Sequence, residues 1–212
     1  MKSIVILISG RGSNLQALLE AKLPCRVEAV ICNRANAGGL AIAKAHDIPT
    51  AVVEHRNYTD RDSFDAALAK TIDSFSPDYV VLAGFMRILT PGFVARYHGK
   101  LTNIHPSLLP AYSGLNTHAR ALQDGVKIHG CTVHFVSADL DHGPIIIQAA
   151  VPVLQDDTEQ TLAARVLHEE HRIYPQAIRW LCTGRIELSE QGRVVFKNIE
   201  QPGIPLISPC LE

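Results

Sequence analysis

The sequence has almost no excess of charge of either sign: 20 Lys and Arg stand against 21 Asp and Glu, for a formal net charge of −1 in 212 residues. It therefore has no global basic field that would attract nucleic acid or an anionic membrane surface. We expect no nucleic acid partner and no membrane partner. Any anionic ligand must be held by local backbone dipoles and a few side chains.

Cysteines are few, and their spacing is not that of a disulfide framework or a zinc ribbon. The chain has five, an odd number, and no two of them form a C-x-x-C pair. They are Cys25, Cys32, Cys131, Cys182 and Cys210. This usage indicates a reducing compartment, which for this chain we expect to be the cytoplasm.

Long apolar runs are also lacking. The run at residues 4–8 is too short for the core of a signal peptide or for a membrane span, and it predicts a first buried strand. Hydrophobic residues nevertheless make up 47% of the chain. A chain of this length and composition can bury the core of one domain, and it is short for two.

Strand patterns and helix patterns alternate along the chain. Apolar runs rich in β-branched residues, at 4–9, 27–33, 50–53 and 79–83, are separated by segments with helical spacing. Two further strands, at 128–136 and 144–153, have a connection short enough for antiparallel pairing. A helix at 162–181 and a hairpin at 185–197 follow. The order predicts an α/β fold: a Rossmann-like, open, mostly parallel twisted sheet with helices on both faces and an antiparallel C-terminal part.

A glycine loop, Gly10-Arg11-Gly12-Ser13-Asn14, joins the first strand to the first helix. Glycines let the backbone approach a ligand closely, and the free amides at a helix start favour an anion such as phosphate. The loop lacks the third glycine of the dinucleotide fingerprint and the Gly-Lys-Ser/Thr of an NTPase loop. It therefore favours a phosphomonoester over NAD or ATP. The alternative is that Ser13 or Asn14 simply caps the helix.

A short hydrophobic loop, Gly84-Phe85-Met86-Arg87-Ile88-Leu89, follows the fourth strand. Open α/β sheets place ligands at the carboxyl ends of buried parallel strands. The loop backbone would grip a flat heterocycle, and Met86, Ile88 and Leu89 would line the slot. The alternative is ordinary packing between the strand and the next helix.

Asn103 and His105 stand two apart at the end of a predicted strand, so their side chains share one face. An amide donor and an imidazole on one face suit a reaction that passes through an oxyanion and moves protons. Asp141, in the connection between the two antiparallel strands, could return toward His105 and favour its protonated form. The alternative is that Asn103 caps a turn and His105 is a core histidine with satisfied hydrogen bonds.

The run His168-Glu169-Glu170-His171 in the long helix has histidines three apart, whereas the zinc spacing H-E-x-x-H places them four apart. We therefore expect no metal there. Glu170 could reach into a cleft, although a solvated helix glutamate is the alternative.

Four blocks occur in order along the chain and are far more specific together than singly. They are Ile8-Ser9-Gly10-Arg11-Gly12-Ser13-Asn14-Leu15-Gln16, Leu82-Ala83-Gly84-Phe85-Met86-Arg87-Ile88-Leu89, Asn103-Ile104-His105-Pro106-Ser107-Leu108-Leu109-Pro110 and Leu140-Asp141-His142-Gly143-Pro144-Ile145. With them the chain resembles the phosphoribosylglycinamide formyltransferases, the folate-dependent transformylases of purine synthesis. The match spans nearly the whole chain.

The resemblance implies transfer of the formyl group of 10-formyltetrahydrofolate, as co-substrate and without a metal, to the amine of 5-phosphoribosylglycinamide in purine (IMP) synthesis. It implies one domain, residues 1–212, with a phosphate-binding half (1–100), a folate-binding and catalytic half (101–200) and a tail (201–212). We expect the tail to be loosely ordered and the enzyme to be a monomer or homodimer.

The resemblance also assigns site residues. Gly12, Ser13 and Asn14 would hold the substrate phosphate, and Glu170 would contact the ribose. The implied catalytic residues are Asn103, His105 and Asp141. The implied folate contacts are Arg61, Met86, Arg87, Ile88, Leu89, Asn103, Val136, Leu140 and Asp141. The hypothesis is that Asn103 and protonated His105 donate to the oxyanion, while Asp141 supports the imidazolium and helps relay the proton.

Other enzyme families with the same core domain define the alternative functions for this chain. Methionyl-tRNA formyltransferase carries a C-terminal domain for which this length leaves no room, and formyltetrahydrofolate hydrolase usually reads H-H-S where this chain reads His105-Pro106-Ser107. Hydrolysis of formyltetrahydrofolate is the alternative enzymatic function, and a regulatory module that binds a phosphorylated ligand is the non-enzymatic one. Departures from the family pattern, which bear on the folate pocket, lie at Ala111, Ser113, Asn116 and His142.

Overall fold

The computed structural model describes residues 1–199, 203, 206 and 208. Apart from those last three residues, the tail predicted for 201–212 lies outside the described residues. In the described part of the chain, no helix is both long and apolar enough to cross a membrane.

A seven-stranded sheet forms the centre of the molecule, and its order is β3-β2-β1-β4-β5-β6-β7. The strands are β1 (Lys2–Ile8), β2 (Cys25–Cys32), β3 (Thr50–Val52), β4 (Tyr79–Leu82), β5 (Leu101–His105), β6 (Ile128–Phe135) and β7 (Ile145–Pro152). The first five run parallel, and β6 pairs antiparallel with both β5 and β7. A separate antiparallel hairpin joins β8 (Ile186–Leu188) and β9 (Val194–Phe196). The predicted fold class is confirmed.

Helices cover both faces of this sheet. They are α1 (Ser13–Glu20), α2 (Gly39–Ala45), α3 (Arg61–Asp73), α4 (Pro91–Arg96), α5 (Thr117–Gln123) and α6 (Glu159–Cys182). Alternation along β1 separates two cores: Ile4, Ile6 and Ile8 pack on one side of the sheet, and Val5 and Leu7 pack on the other. A strand buried on both faces explains why this segment reads as a continuous apolar run.

Cap residues set the helix boundaries. Asp60 caps α3, because its side chain accepts from the Ser63 N–H at 2.7 Å. The start predicted for the long helix, residue 162, is wrong by three residues. Thr158 and Thr161 form a reciprocal capping box, so α6 begins at Glu159 and residues 159–161 belong to its first turn.

The order of connection reverses between β1 and β4, which lie side by side in the middle of the sheet. The loops after these two strands therefore leave the sheet in opposite directions and open a crevice at its carboxyl edge. These loops are the glycine loop and the hydrophobic loop singled out in the sequence. The last residue of β5, His105, lies at the same edge.

Candidate active site

The end of β5 and the connection between β6 and β7 bring His105 and Asp141 together. His105 Nδ1 lies 3.5 Å from Asp141 Oδ2, and each side chain is only 8% exposed. A carboxylate and an imidazole at this distance and this burial interact strongly, because little water screens them. The predicted return of Asp141 toward His105 is therefore confirmed.

The second ring nitrogen of His105 also faces an acceptor. Nε2 lies 3.0 Å from the carbonyl oxygen of Tyr112. A neutral imidazole has only one N–H, whereas the imidazolium has two and satisfies both the carbonyl and the carboxylate. Each ring nitrogen of His105 therefore faces an acceptor, the Asp141 carboxylate at Nδ1 and the Tyr112 carbonyl at Nε2.

Backbone geometry holds Asp141 in place. The residue has a left-handed φ of 56°, which aspartate tolerates better than most residues, and its Oδ2 accepts from the Gly114 N–H at 2.9 Å. This bond ties the loop after β5 to the connection after β6. The two loops that flank Asn103, His105 and Asp141, called the trio below, therefore support one another.

His134 supports Asn103, and no sequence pattern indicated this partner. The two residues are paired across β5 and β6, and Asn103 Nδ2 lies 3.3 Å from His134 Nε2. His134 Nδ1 is 2.8 Å from the Phe135 carbonyl, so Nδ1 carries the proton and Nε2 accepts from Asn103. Burial lowers the pKa of His134 and keeps the ring neutral. One N–H of the Asn103 amide is thereby fixed, and the other has no hydrogen-bond partner in the part of the chain that the structure describes, so it can bind a ligand.

Close backbone contacts shape the glycine loop at residues 10–14. Gly12, with φ at 87°, is the N-cap of α1, and no side chain caps this helix, so the interpretation of Ser13 or Asn14 as the cap is wrong. The Gly39 N–H donates to the Gly10 carbonyl at 3.1 Å, and a Cβ on Gly12 would lie 2.7 Å from Gly39 Cα. Only glycine permits this approach. The first amides of α1 remain free for an anion.

Asn14 turns its side chain away from the loop and toward α6. Its Nδ2 donates to Glu170 Oε2 at 2.7 Å, and Glu170 is 7% exposed. The alternative of a solvated helix glutamate is therefore wrong. Burial raises the pKa of Glu170, while the Asn14 hydrogen bond acts in the opposite direction.

The hydrophobic loop is held at both ends and exposed between them. The Met86 N–H donates to Ser9 Oγ at 2.8 Å, and the Thr90 N–H donates to Asp65 Oδ2 at 2.6 Å. Met86 is 62% exposed and Ile88 55% exposed, which contradicts ordinary packing between strand and helix for these two side chains. A fixed backbone with exposed apolar side chains suits the binding of a flat ring.

The remaining predicted folate contacts differ in exposure. Leu89 and Arg87 are half-buried, and the Arg87 guanidinium lies 5.9 Å from the centre of the Phe64 ring. Arg61 is exposed at the first turn of α3. Val136 is half-buried and donates its N–H to the Leu101 carbonyl, and Leu140 is exposed.

The residues that depart from the family pattern lie on loops and make hydrogen bonds to residues near them in the chain. His142 is exposed, with Nδ1 2.7 Å from the Leu140 carbonyl. The carbonyl of Ala111 accepts from Ser107 Oγ, and that of Ser113 accepts from Arg120. Asn116 has a φ of 55°, a conformation that asparagine adopts readily. None of these hydrogen bonds involves the side chain of His105 or Asp141.

The run at 168–171 does not gather metal ligands. His168 is exposed and lies 3.0 Å from Glu169, whereas Glu170 points inward. Across the described ranges, no group of three His, Cys, Asp or Glu side chains is placed to hold a metal ion.

A buried histidine next to the site, His129, makes the free energy of unfolding depend on pH. His129 is 1% exposed, its Nε2 lies 3.2 Å from His118 Nδ1, and burial lowers its pKa to about 4. Because the unfolded chain binds this proton near pH 6.5, the stabilisation is complete above that pH and is lost as the pH falls toward 4. We expect His129 to account for a loss of about 2 kcal/mol in unfolding free energy between about pH 7.5 and about pH 5.

Urea unfolding of the wild type and His129→Gln at both pH values measures this loss. The variant should lose about 2 kcal/mol less than the wild type does, while His46→Gln, an exposed control, should follow the wild type. Equal pH dependence in wild type and His129→Gln would contradict the assignment.

Comparison with known proteins places these features in context. A family model described as formyl transferase matches residues 2–178. The phosphoribosylglycinamide formyltransferase of Escherichia coli (strain K12) is 50% identical over 194 residues, 90% of this chain and 92% of that protein. The structure of the phosphoribosylglycinamide formyltransferase from Coxiella burnetii has a TM-score of 0.88 at 47% identity, covering 92% of this chain and 93% of that one. A formyltetrahydrofolate deformylase from Pseudomonas syringae has a TM-score of 0.86 at 29% identity, covering 93% of this chain and 66% of that one.

Proposed function

This chain belongs to the formyl transferase family, and we infer that it is a phosphoribosylglycinamide formyltransferase of purine biosynthesis. It transfers the formyl group of 10-formyltetrahydrofolate to the amine of 5-phosphoribosylglycinamide. The observation that carries this conclusion is the close pair of His105 and Asp141 at the sheet edge that also holds the phosphate loop. The hydrolytic alternative has weaker support, because the deformylase is a more distant relative.

The reaction requires a proton to move between two nitrogens. The substrate amine attacks the formyl carbon, a C–N bond forms, and the formyl oxygen becomes an oxyanion. The intermediate collapses when the bond from that carbon to N10 of the folate breaks, and the proton lost by the amine reaches N10. No covalent bond to the enzyme is needed.

We assign the catalytic roles from the hydrogen-bond polarity around the trio. The free N–H of Asn103 donates to the oxyanion as it forms, and the His105 imidazolium exchanges one of the two protein acceptors that its N–H groups face for the oxyanion. Asp141 supports the imidazolium by its charge and passes the proton from the attacking amine toward the leaving nitrogen. The burial of the His105 and Asp141 side chains strengthens their interactions with the developing charge.

The substrates occupy the crevice on either side of the trio. In this proposal the first amides of α1, from Gly12 to Asn14, bind the phosphate, and Glu170 binds the ribose. The pterin lies against the backbone from Met86 to Leu89 and against the connection from Val136 to Asp141. Arg61 lies at the outer edge of the folate site.

The test is the absorbance change on loss of 10-formylfolate, with and without phosphoribosylglycinamide. We expect the change to require the amine. Formate released at the same rate without an amine would establish the hydrolase instead. Binding of a sugar phosphate with no transfer from any folate would support the regulatory module.

Replacing His134 with leucine should lower kcat about tenfold, the cost of one neutral hydrogen bond that orients Asn103. His134→Gln should retain most of the activity, because glutamine carries an acceptor oxygen near the position of Nε2. Steady-state kinetics on both variants test this, and both KM values should stay within a few-fold of wild type. A leucine variant with wild-type kcat would remove His134 from the site.

A further inference from the structure

The hydrogen bond between Asn14 and Glu170 joins two binding regions that are 156 residues apart in the chain. Asn14 is the second residue of α1, at the phosphate loop, and Glu170 lies midway along α6. Both residues are buried, with exposures of 8% and 7%. Their bond of 2.7 Å has the length of a charge-assisted hydrogen bond.

The polarity of this bond is determined by its partner. A carboxylate only accepts hydrogen bonds, so the Asn14 amide must present Nδ2 to Glu170 Oε2. The amide oxygen Oδ1 is then buried without a hydrogen-bond partner in the described part of the chain. A buried oxygen without a hydrogen-bond partner lowers the free energy of unfolding. The orientation of the Asn14 amide is therefore explained by its contact with Glu170 and not by its own packing.

The carboxylate, in turn, keeps one oxygen available. Oε2 accepts from Asn14, and Oε1 has no hydrogen-bond partner among residues 1–199. Asn14 is also neutral, so it fixes the carboxylate without introducing a charge beside the phosphate site. An aspartate at this position would place two carboxylates in contact.

We propose that the Asn14 side chain is a positioning residue that holds Glu170 Oε1 toward the ribose hydroxyls, so that phosphate and ribose are recognised together. The backbone N–H of Asn14 lies among the free amides that bind the phosphate, while its side chain fixes the position of the Glu170 carboxylate. The distance between the two contacts is thereby fixed. The site selects a 5-phosphoribosyl group over a phosphate ester without the hydroxyls. This inference rests on the proposed ribose contact of Glu170.

The test is calorimetric binding of phosphoribosylglycinamide and its 2-deoxyribosyl analogue to wild type, Asn14→Ala and Glu170→Gln, without folate. The wild type should prefer the ribosyl compound. Asn14→Ala should bind that compound about ten- to a hundredfold more weakly and lose most of the preference, because a hydrogen bond to a charged group is lost. In steady-state transfer, the same variant should raise KM for the ribonucleotide and leave kcat and the folate KM within about threefold of wild type.

Gln16→Ala is the matched control. Gln16 Nε2 donates to Glu20 Oε1 at 2.8 Å, an amide and carboxylate pair on the exposed side of the same helix. This variant should bind both compounds as the wild type does. Adding Asn14→Ala to Glu170→Gln should cause little further loss, because the two residues act as one unit.

Equal weakening of both compounds by Asn14→Ala would overturn the proposal, as would unchanged binding. If Asn14→Ala folds poorly, the isosteric Glu170→Gln still tests the ribose preference, and Asn14→Asp tests the polarity argument. Because binding is measured without formyl transfer, failure of the proposed reaction would appear as absent turnover with the binding preference intact.

Discussion

Asp141→Asn should lower kcat about a hundred- to a thousandfold, the range seen when an oxyanion-stabilising group is lost. The isosteric amide can still accept from the Gly114 N–H, so the connection between β6 and β7 keeps its shape. It has no charge to hold the His105 imidazolium 3.5 Å away, and its oxygen is a far weaker base for the proton relay. Both effects act on the chemical step.

Steady-state kinetics with both substrates measure this effect, and both KM values should change by less than about fivefold. Asp156→Asn is the matched control, because Asp156 has an exposed side chain on the loop after β7, outside the proposed site. It should turn over as the wild type does. Near-full turnover by Asp141→Asn would contradict the assignment of the trio, whereas equal losses in both variants would indicate an effect that is not specific to the Asp141 carboxylate.

Short-range sequence patterns predicted most of the fold, because interactions between residues near one another in the chain determine where most strands and helices form. The apolar run that became β1 is buried on both faces, and the cap at Asp60 uses its own neighbour Ser63. The period of two along β5 likewise placed Asn103 and His105 on one face without further information. Where the prediction missed, as at the start of α6, the cause was again local. A capping box includes the first turn of a helix, and here the predicted helix began only after residues 158–161.

Contacts that depend on strand register could not be predicted in the same way. His134 faces Asn103 only because β6 pairs antiparallel with β5 in one particular register, and a shift by one residue would turn it to the other face. The bond between Asn14 and Glu170 requires α1 and α6 to pack together, although 156 residues separate the two partners. The residues proposed to be catalytic could be identified from the sequence, whereas the residues that orient them could be identified only from the structure.

Gly143→Ala should lower kcat at least about a hundredfold, because one added methyl group disturbs both supports of the trio. A Cβ on Gly143 would lie 1.7 Å from the Phe135 carbonyl oxygen and 3.2 Å from the Ser137 nitrogen. That carbonyl accepts the Nδ1 proton of His134, and the Phe135 N–H donates to the Pro144 carbonyl at 2.9 Å. The strand cannot retreat without breaking these bonds, so the connection that carries Asp141 must move.

Overpacking of this kind should also reduce the unfolding free energy by roughly 1–3 kcal/mol. Gly92→Ala is the matched control, since a Cβ there would meet nothing within 4 Å and the residue lies inside α4. It should change the unfolding free energy by less than about 1 kcal/mol and leave kcat unchanged. Urea unfolding and steady-state kinetics on the two variants separate the effects. A stable Gly143→Ala enzyme with wild-type kcat would show that neither Asp141 nor His134 depends on this contact, and the account of how the trio is held would fail.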